Sequence, residues 1–383
     1  MSNALAIVEE PDHVCCRYRV RAFEPALNRQ GVSLTNFPIA GNSILRLLEF
    51  ARLPRFDSIL IQRKLLSSLE LKLLRRVADR LVFDFDDAVF HRDSYDARGS
   101  YSRKRSRRFR ATMAIVDTVI AGNDYLADAA SKAGASADRI EVIPTCVSTG
   151  LYASERPERL MREGIELVWV GSSSTLRGLE ARRNLFDRLV REVPGVKLRV
   201  ICDRFPDLGL IPIVEVPWSE ATEAAEIAAG DVGISWIPDD PWSRGKCGLK
   251  ILQYQAAGLP VLANPVGVHP EMIRPGLNGL LPETDDDWVT ALSQLAANPD
   301  LRDEMGRNAR RGVELGYSVD AWEGTFVAAL LGKPAAEQAS TAVSELRRDR
   351  GSGLFHLAGI TKNSGTAFPP SVDPKTAQIE VHG

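Results

Sequence analysis

The sequence predicts an α/β protein built as two parallel, doubly wound sheets. Short apolar runs alternate with amphipathic stretches along almost the whole chain, the pattern of strands joined by crossover helices. The alternation stops at a polar, charged stretch over residues 156–163 and then restarts. The length, 383 residues, also exceeds what one small core fills, so two domains are expected.

In the first half the apolar runs 5–8, 32–37, 58–62, 81–85, 118–121 and 140–144 read as strands. Helical spacing covers 18–29, 43–53, 65–78, 102–115 and 124–133, with leucines three and four apart in 65–78. After the charged stretch, strands are expected at 165–171, 197–202, 213–216, 232–237 and 260–263. Helices are expected at 179–192, 224–229, 249–257, 288–295 and 301–315. Gly316 then separates a last helix at 317–331. The expected division is a first domain over 1–155, a second over 160–316 and a helix at 317–331 returning to the first. The remainder, 332–383, is rich in Ala, Ser, Pro, Gly and charge and reads as a largely disordered tail.

Composition narrows the class. Hydrophobic residues are 44% and charged residues 26%, an ordinary globular balance. Lys and Arg number 48 against 50 Asp and Glu, a net charge of −2 that argues against a general nucleic-acid binder. Five cysteines, two of them adjacent (Cys15 and Cys16), do not form a disulfide framework and fit a cytoplasmic protein. No apolar run is long enough to span a bilayer, and the N-terminus lacks the pattern of a signal peptide.

Residues 242–267 hold the densest chemistry. A cationic loop with Arg244 and Lys246 runs into Gly248 and a helix that opens with Leu249 and Lys250. Amide groups at a helix N-terminus beside lysines form a natural diphosphate site. The plain alternative is an ordinary αβ unit with solvated lysines. A second feature, Gly171-Ser172-Ser173-Ser174-Thr175-Leu176-Arg177, follows the first strand of the second half. It reads as a phosphate-facing loop or as a Ser/Thr-rich helix cap with a surface arginine. A third, Asp84, Asp86 and Asp87, ends a strand of the first half, with His91 nearby as a further polar contact. Such acids suit acceptor hydroxyls, a developing positive centre or a divalent metal, or they cap the next segment. A basic run, Arg103, Lys104, Arg105, Arg107, Arg108 and Arg110, suits anionic lipid at the membrane's inner face, a phosphorylated acceptor or plain solvent.

The segment Gln255-Ala256-Ala257-Gly258-Leu259-Pro260-Val261-Leu262-Ala263 resembles the C-terminal signature of family-four glycosyltransferases of the GT-B fold. The resemblance continues through Gly267, Glu271-Met272-Ile273 and Gly276-Leu277-Asn278-Gly279-Leu280. It extends to Asn298-Pro299-Asp300-Leu301-Arg302 and Met305-Gly306-Arg307-Asn308-Ala309-Arg310. It implies two facing Rossmann-like domains with a cleft between them. It also implies retaining transfer of a sugar from a nucleotide-diphosphate sugar, as co-substrate, to a glycan or lipid-linked acceptor, with no metal and no cofactor.

By the same resemblance, Gly171, Ser172, Ser173, Thr175, Arg177, Lys246, Gly248, Leu249, Lys250 and Gln253 would hold the donor. Asn123 and His91 would face the acceptor. Asp86 and Asp87 stand near the place of a family histidine and are the catalytic candidates. The chain departs from the family where two glutamates are expected seven residues apart: Gly245 occupies the first position and Gln253 the second. That departure keeps a non-catalytic nucleotide-sugar-binding protein open as an alternative, with a nucleotide-sugar epimerase behind it.

Overall fold

The computed structural model describes residues 2–152 and 164–333. The charged stretch 156–163 and the tail beyond Lys333 lie outside the described residues.

The first half opens with β1 (Ser2–Val8), α1 (Val14–Arg19), α2 (Glu24–Arg29) and β2 (Val32–Pro38). It continues with α3 (Ser43–Arg52), β3 (Phe56–Gln62), α4 (Ser68–Val77), β4 (Ala78–Phe85) and α5 (Arg103–Ile115). It closes with β5 (Thr118–Ala121), α6 (Asp124–Lys132) and β6 (Ile140–Val142). All neighbouring strands pair in parallel, in the order β2-β1-β3-β4-β5-β6. Parallel strands covered on both faces are apolar throughout, and Leu5, Ile7, Ile59, Ile61, Leu81 and Phe83 are fully buried. α3 to α6 cover one face through Phe50, Leu74, Phe109, Met113 and Leu126.

The single helix expected over 18–29 is broken. Val20 leaves helical geometry at φ −128° and ψ −65°, and a short 3-10 turn at Arg21–Phe23 precedes α2. Pro25 fits the first turn of a new helix, where its missing N–H costs nothing. The break follows Arg19, which is buried and pinned to the first sheet. Its Nε donates to Asp84 Oδ1 at 3.1 Å and its Nη1 to the carbonyl of Ile143 at 2.7 Å.

The second half begins with β7 (Ile165–Val170), α7 (Arg177–Glu180), α8 (Arg183–Glu192), β8 (Val196–Cys202) and β9 (Ile213–Pro217). α9 (Glu223–Ala228), β10 (Val232–Ser235), α10 (Leu249–Ala256) and β11 (Val261–Ala263) follow. Last come α11 (His269–Met272), β12 (Gly279–Leu280), α12 (Asp285–Ala297), α13 (Pro299–Gly316) and α14 (Val319–Leu331). Its six strands are again parallel, in the order β12-β11-β10-β7-β8-β9. The expected helix 179–192 is two, because Arg182 (φ −109°, ψ 16°) breaks it. α11 and β12 were too short to carry a period in the sequence.

α14 packs on the first sheet, opposite α3 to α6. Trp322, Phe326 and Leu330 join the cluster of Phe23, Leu60 and Val82, and the rings of Phe23 and Phe326 stack at 4.2 Å. The Ser58 hydroxyl donates to the carbonyl of Leu330 at 2.8 Å. The chain thus ends its described part on the half where it began.

Candidate functional site

The C-terminal strand ends of the two sheets meet along one seam. On the first half these ends carry Asp86, Asp87, Ala88, Gly122 and Asn123. On the second half the loop after β10, residues 236–248, reaches across to them. Trp242 and Cys247 of that loop are packed with the core of the first half, not with their own. Gly245 lies so close to Ala88 that a Cβ built on it would sit 2.7 Å from the Ala88 Cβ and 2.8 Å from its amide nitrogen. Gly122 is constrained in the same way, by Cys247 Sγ.

Asn123 fastens this contact. Its Oδ1 caps α6 by accepting from the amide of Leu126 at 2.9 Å. Its Nδ2 donates to the carbonyls of Gly245 at 3.3 Å and Lys246 at 3.2 Å. Both ends of the side chain are engaged in this contact between the halves. Two more bonds bridge the same loop: Tyr125 Oη donates to the Pro241 carbonyl at 3.1 Å, and the hydroxyls of Ser94 and Ser243 lie 3.0 Å apart. Trp242 is a packing residue of this seam.

On the second half, β7 ends at Val170, and after Gly171 and Ser172 the residues Ser173–Thr175 form a 3-10 turn. The turn is held by Asp203 at the end of β8, whose Oδ1 accepts from the Ser173 amide at 2.7 Å. The Thr175 hydroxyl donates to the Ser172 carbonyl at 2.9 Å, and the Ser172 and Ser174 hydroxyls lie 2.8 Å apart. Lys250 Nζ donates to Thr175 Oγ1 at 3.2 Å and stands 4.1 Å from the centre of the Trp169 ring. A Cβ on Gly171 would come within 2.6 Å of the Trp169 ring and 2.8 Å of Lys250 Nζ and Thr175 Oγ1, so a side chain there would have to displace them. Burial, and then the charge of Lys246, lower the Lys250 pKa to about 7.

Gly248 precedes α10 in the left-handed region at φ 66°, with Met272 where a side chain would stand. The helix opens at Leu249 with no side-chain cap, leaving its first amides without partners inside the helix. Arg177 is exposed at the start of α7, its guanidinium 5.6 Å from the centre of the Tyr95 ring. Tyr95 comes from the first half, so this contact also crosses the seam.

Gln253 is buried. Its Nε2 donates to Tyr18 Oη at 3.0 Å and to Glu223 Oε1 at 2.8 Å. Tyr18 Oη donates to Glu223 Oε1 at 2.9 Å, and Trp218 Nε1 donates to Glu223 Oε2. Arg17 adds a contact to Glu220 at 3.1 Å. This network ties α1 of the first half to α9 and α10 of the second.

Across from Lys246, Asp86 and Asp87 are held by Arg63, a residue the sequence reading missed. Its Nη2 donates to Asp87 Oδ2, and its Nε lies 3.4 Å from Asp86 Oδ1, which accepts no hydrogen bond. Burial raises the Asp87 pKa, against the lowering charges of Arg63 and Lys246. Arg63 is the one described non-glycine residue with positive φ, at 58°. Nothing in the sequence signals that strain. His91 is half-buried against the Phe90 ring at 4.7 Å; its Nδ1 has no partner, and burial lowers its pKa. Among the described residues no cluster of His, Cys, Asp and Glu could hold a metal ion.

Sequence and structure comparisons place this geometry. Residues 181–328 match the family described as Glycosyl transferase-like. A D-inositol 3-phosphate glycosyltransferase of Actinosynnema mirum is 28% identical over 247 residues, 57% of this chain and 58% of that protein. One of the same name from Saccharomonospora viridis is 42% identical over 157 residues, 40% of this chain and 32% of its own length. The chain therefore spans little more than half, or less, of these relatives.

Among solved structures, sucrose-phosphate synthase from Thermosynechococcus elongatus superposes with a TM-score of 0.66 at 16% identity. It covers 92% of this chain and 100% of its own. HepE of Anabaena, solved with UDP and glucose, gives 0.57 at 15% identity with the same coverage. S. aureus TarM, solved with Fondaparinux, alpha-GlcNAc-glycerol and UDP, gives 0.58 at 14% identity, covering 75% of this chain and 58% of its own. Two six-stranded parallel sheets meeting at their C-terminal ends give the chain the GT-B fold of these structures, and its residues 181–328 are similar to the Glycosyl transferase-like family.

Proposed function

We propose that the chain is a retaining glycosyltransferase that takes its sugar from a nucleotide-diphosphate donor. The observation that carries this reading is the set of cations at the seam. Lys250 sits on the turn after β7, Arg177 opens α7, and Lys246 is close enough to act on both Lys250 and Asp87. A leaving diphosphate needs such charge, and charge-assisted bonds are about twice as strong as neutral ones. The amides opening α10 add to the attraction. HepE and TarM, which share the fold, were solved with UDP, and this supports a nucleotide ligand here.

Asp86 is the carboxylate we assign to the reacting sugar or the acceptor hydroxyl, because its Oδ1 faces Arg63 at 3.4 Å but accepts no hydrogen bond. Asp87, bound to Arg63, orients it. The acceptor, a glycan or a lipid-linked molecule, would enter on the first half beside these acids and His91. Asn123 and Gln253 are assigned to holding the two halves together rather than to acceptor and ribose. By family analogy the leaving phosphate takes the acceptor proton, and no metal or cofactor is required.

The test is transfer itself. Labelled UDP-, GDP- and ADP-sugars with a panel of glycan and lipid acceptors should yield one product, with the donor's anomeric configuration kept. Binding of a donor without transfer to any acceptor favours the second reading, a nucleotide-sugar-binding protein, which the glycine at position 245 motivates. Conversion of a donor without any acceptor favours an epimerase.

A further inference from the structure

Helices α3, α4 and α5 lie side by side on one face of the first sheet. Each leads into a parallel strand by a right-handed crossover and so starts at the C-terminal ends of the strands. Their opening turns therefore stand together on the edge that borders the seam. Two contacts tie them there: Arg46 of α3 donates to Glu70 of α4 at 2.6 Å, and Arg108 of α5 donates to the Leu65 carbonyl at 3.0 Å.

The outer surface of these turns is unlike the rest of the chain. Ile44, Leu45 and Leu48 of α3 are 68%, 53% and 50% exposed, and Leu69 of α4 is 57% exposed. Arg103, Lys104 and Arg107 of α5 are exposed, as are Lys72 and Arg76 of α4, the helix that packs against both α3 and α5. α5 carries no acid, and its cations crowd the first turn, where the helix dipole repels positive charge. Of the neighbouring acids, Glu70 is matched by Arg46 and Asp96 by Arg98 and Arg92, while Glu49 of α3 is half-buried beside Phe50 and Asp93 lies in the loop before α5. α5 buries its own apolar side chains, Phe109 and Met113, so it has nothing to insert into a lipid layer. α3 and α4 supply that part.

We propose that this edge docks on an anionic lipid bilayer, with Arg103, Lys104 and Arg107 on the headgroups and Ile44, Leu45, Leu48 and Leu69 at the acyl boundary. An anionic surface satisfies both the uncompensated cations and the dipole of α5, and the exposed leucines distinguish a bilayer from a soluble polyanion. The docking stands apart from the chemistry at the seam. If the transferase reading also holds, the acceptor side of the seam opens beside the lipid.

The test is flotation of the full chain with vesicles of phosphatidylcholine alone and of phosphatidylcholine with phosphatidylglycerol. The chain should float with the anionic vesicles only and be released by high salt. Arg103→Gln/Lys104→Gln/Arg107→Gln should lower partitioning roughly 100-fold, the combined effect of such cations near an anionic surface. Ile44→Ser/Leu45→Ser/Leu48→Ser should weaken it several-fold and leave the remainder salt-sensitive. Both variants alter exposed residues and should keep the unfolding temperature and the UDP affinity of the parent, which separates this proposal from the fate of the transferase reading. Equal flotation with neutral vesicles, or no loss in either variant, would overturn the proposal. So would a concentration-dependent dimer that the leucine variant makes monomeric, or binding to heparin that survives the leucine changes while vesicle binding is absent.

Discussion

Gly245 and Ala88 touch across the seam so closely that residue 245 has no room for a side chain: a Cβ there would lie 2.7 Å from the Ala88 Cβ. The resemblance noted in the sequence would put a glutamate at this position, where the close approach of the two halves brings Asp86 and Asp87, the residues just before Ala88, up to the loop that carries Lys246. Gly245→Ala should lower stability by about 1–3 kcal/mol, the usual cost of overpacking. Gly245→Glu should lower it further and restore no activity. Chemical denaturation measures the first, and an unchanged midpoint would mean that the seam is looser than described.

On the proposed reading, Lys250 should set the pH dependence of diphosphate binding. Its pKa, lowered to about 7 by burial and by Lys246, leaves it largely neutral above that pH. A diphosphate favours the charged form, so binding takes up a proton. UDP affinity should be full below pH 7 and fall as pH rises above it, by up to tenfold per unit. Lys250→Arg, charged throughout, should flatten the profile. Calorimetric titrations at several pH values decide this, and a flat parent profile would remove Lys250 from the phosphate site.

Arg63 holds two carboxylates that are otherwise in poor surroundings. Arg63→Met leaves the Asp86–Asp87 pair without its cation, and breaking such a pair costs roughly 3–5 kcal/mol when it is deeply buried. The Asp87 pKa is already raised by burial and should rise further in the variant. A carboxyl whose folded pKa exceeds its unfolded value binds more protons in the folded state, so stability falls as pH rises through that range. The variant should therefore recover part of its loss as pH is lowered from neutrality toward the unfolded Asp value. Urea melts at two pH values measure it. An equal deficit at both would show that Arg63 acts by packing alone.

Asn123 separates positioning from acceptor binding. Asn123→Asp keeps the oxygen that caps α6 but loses the two donations to the Gly245 and Lys246 carbonyls. Kinetics should show the donor KM rising while the acceptor KM stays near the parent. Asn123→Ala loses the cap as well and should cost a further ~1 kcal/mol of stability. A change confined to the acceptor KM would return Asn123 to the acceptor side.

Much of the fold was legible because parallel strands buried on both faces are continuous apolar runs; 118–121 and 165–170 read directly as strands for that reason. The broken helix at Val20 was not legible, because Arg19 looks like a solvent-facing residue until Asp84, far along the chain, receives it. The site was legible where chemistry is local: Lys250, Gly248 and the small-residue turn after β7 lie where the spacing put them. It was not legible where partners come from the other half. Nothing near Gln253 in the sequence announces Tyr18 or Glu223, nothing near Asp86 announces Arg63, and Tyr95 lies over Arg177 only once both sheets have formed. Long-range polar pairing leaves no periodic trace.

The central claim is that the cations of the second half receive a donor's diphosphate. Isothermal titration of UDP, GDP and ADP into the parent and into Arg177→Ala, Lys246→Ala and Lys250→Ala tests it most directly. The account predicts that one nucleoside diphosphate binds the parent, that each variant loses about tenfold or more, and that ligand at about 100 times its Kd stabilises the parent by ~2.7 kcal/mol. Affinity unchanged in all three variants, or no binding of any of these nucleotides to the parent, would contradict it.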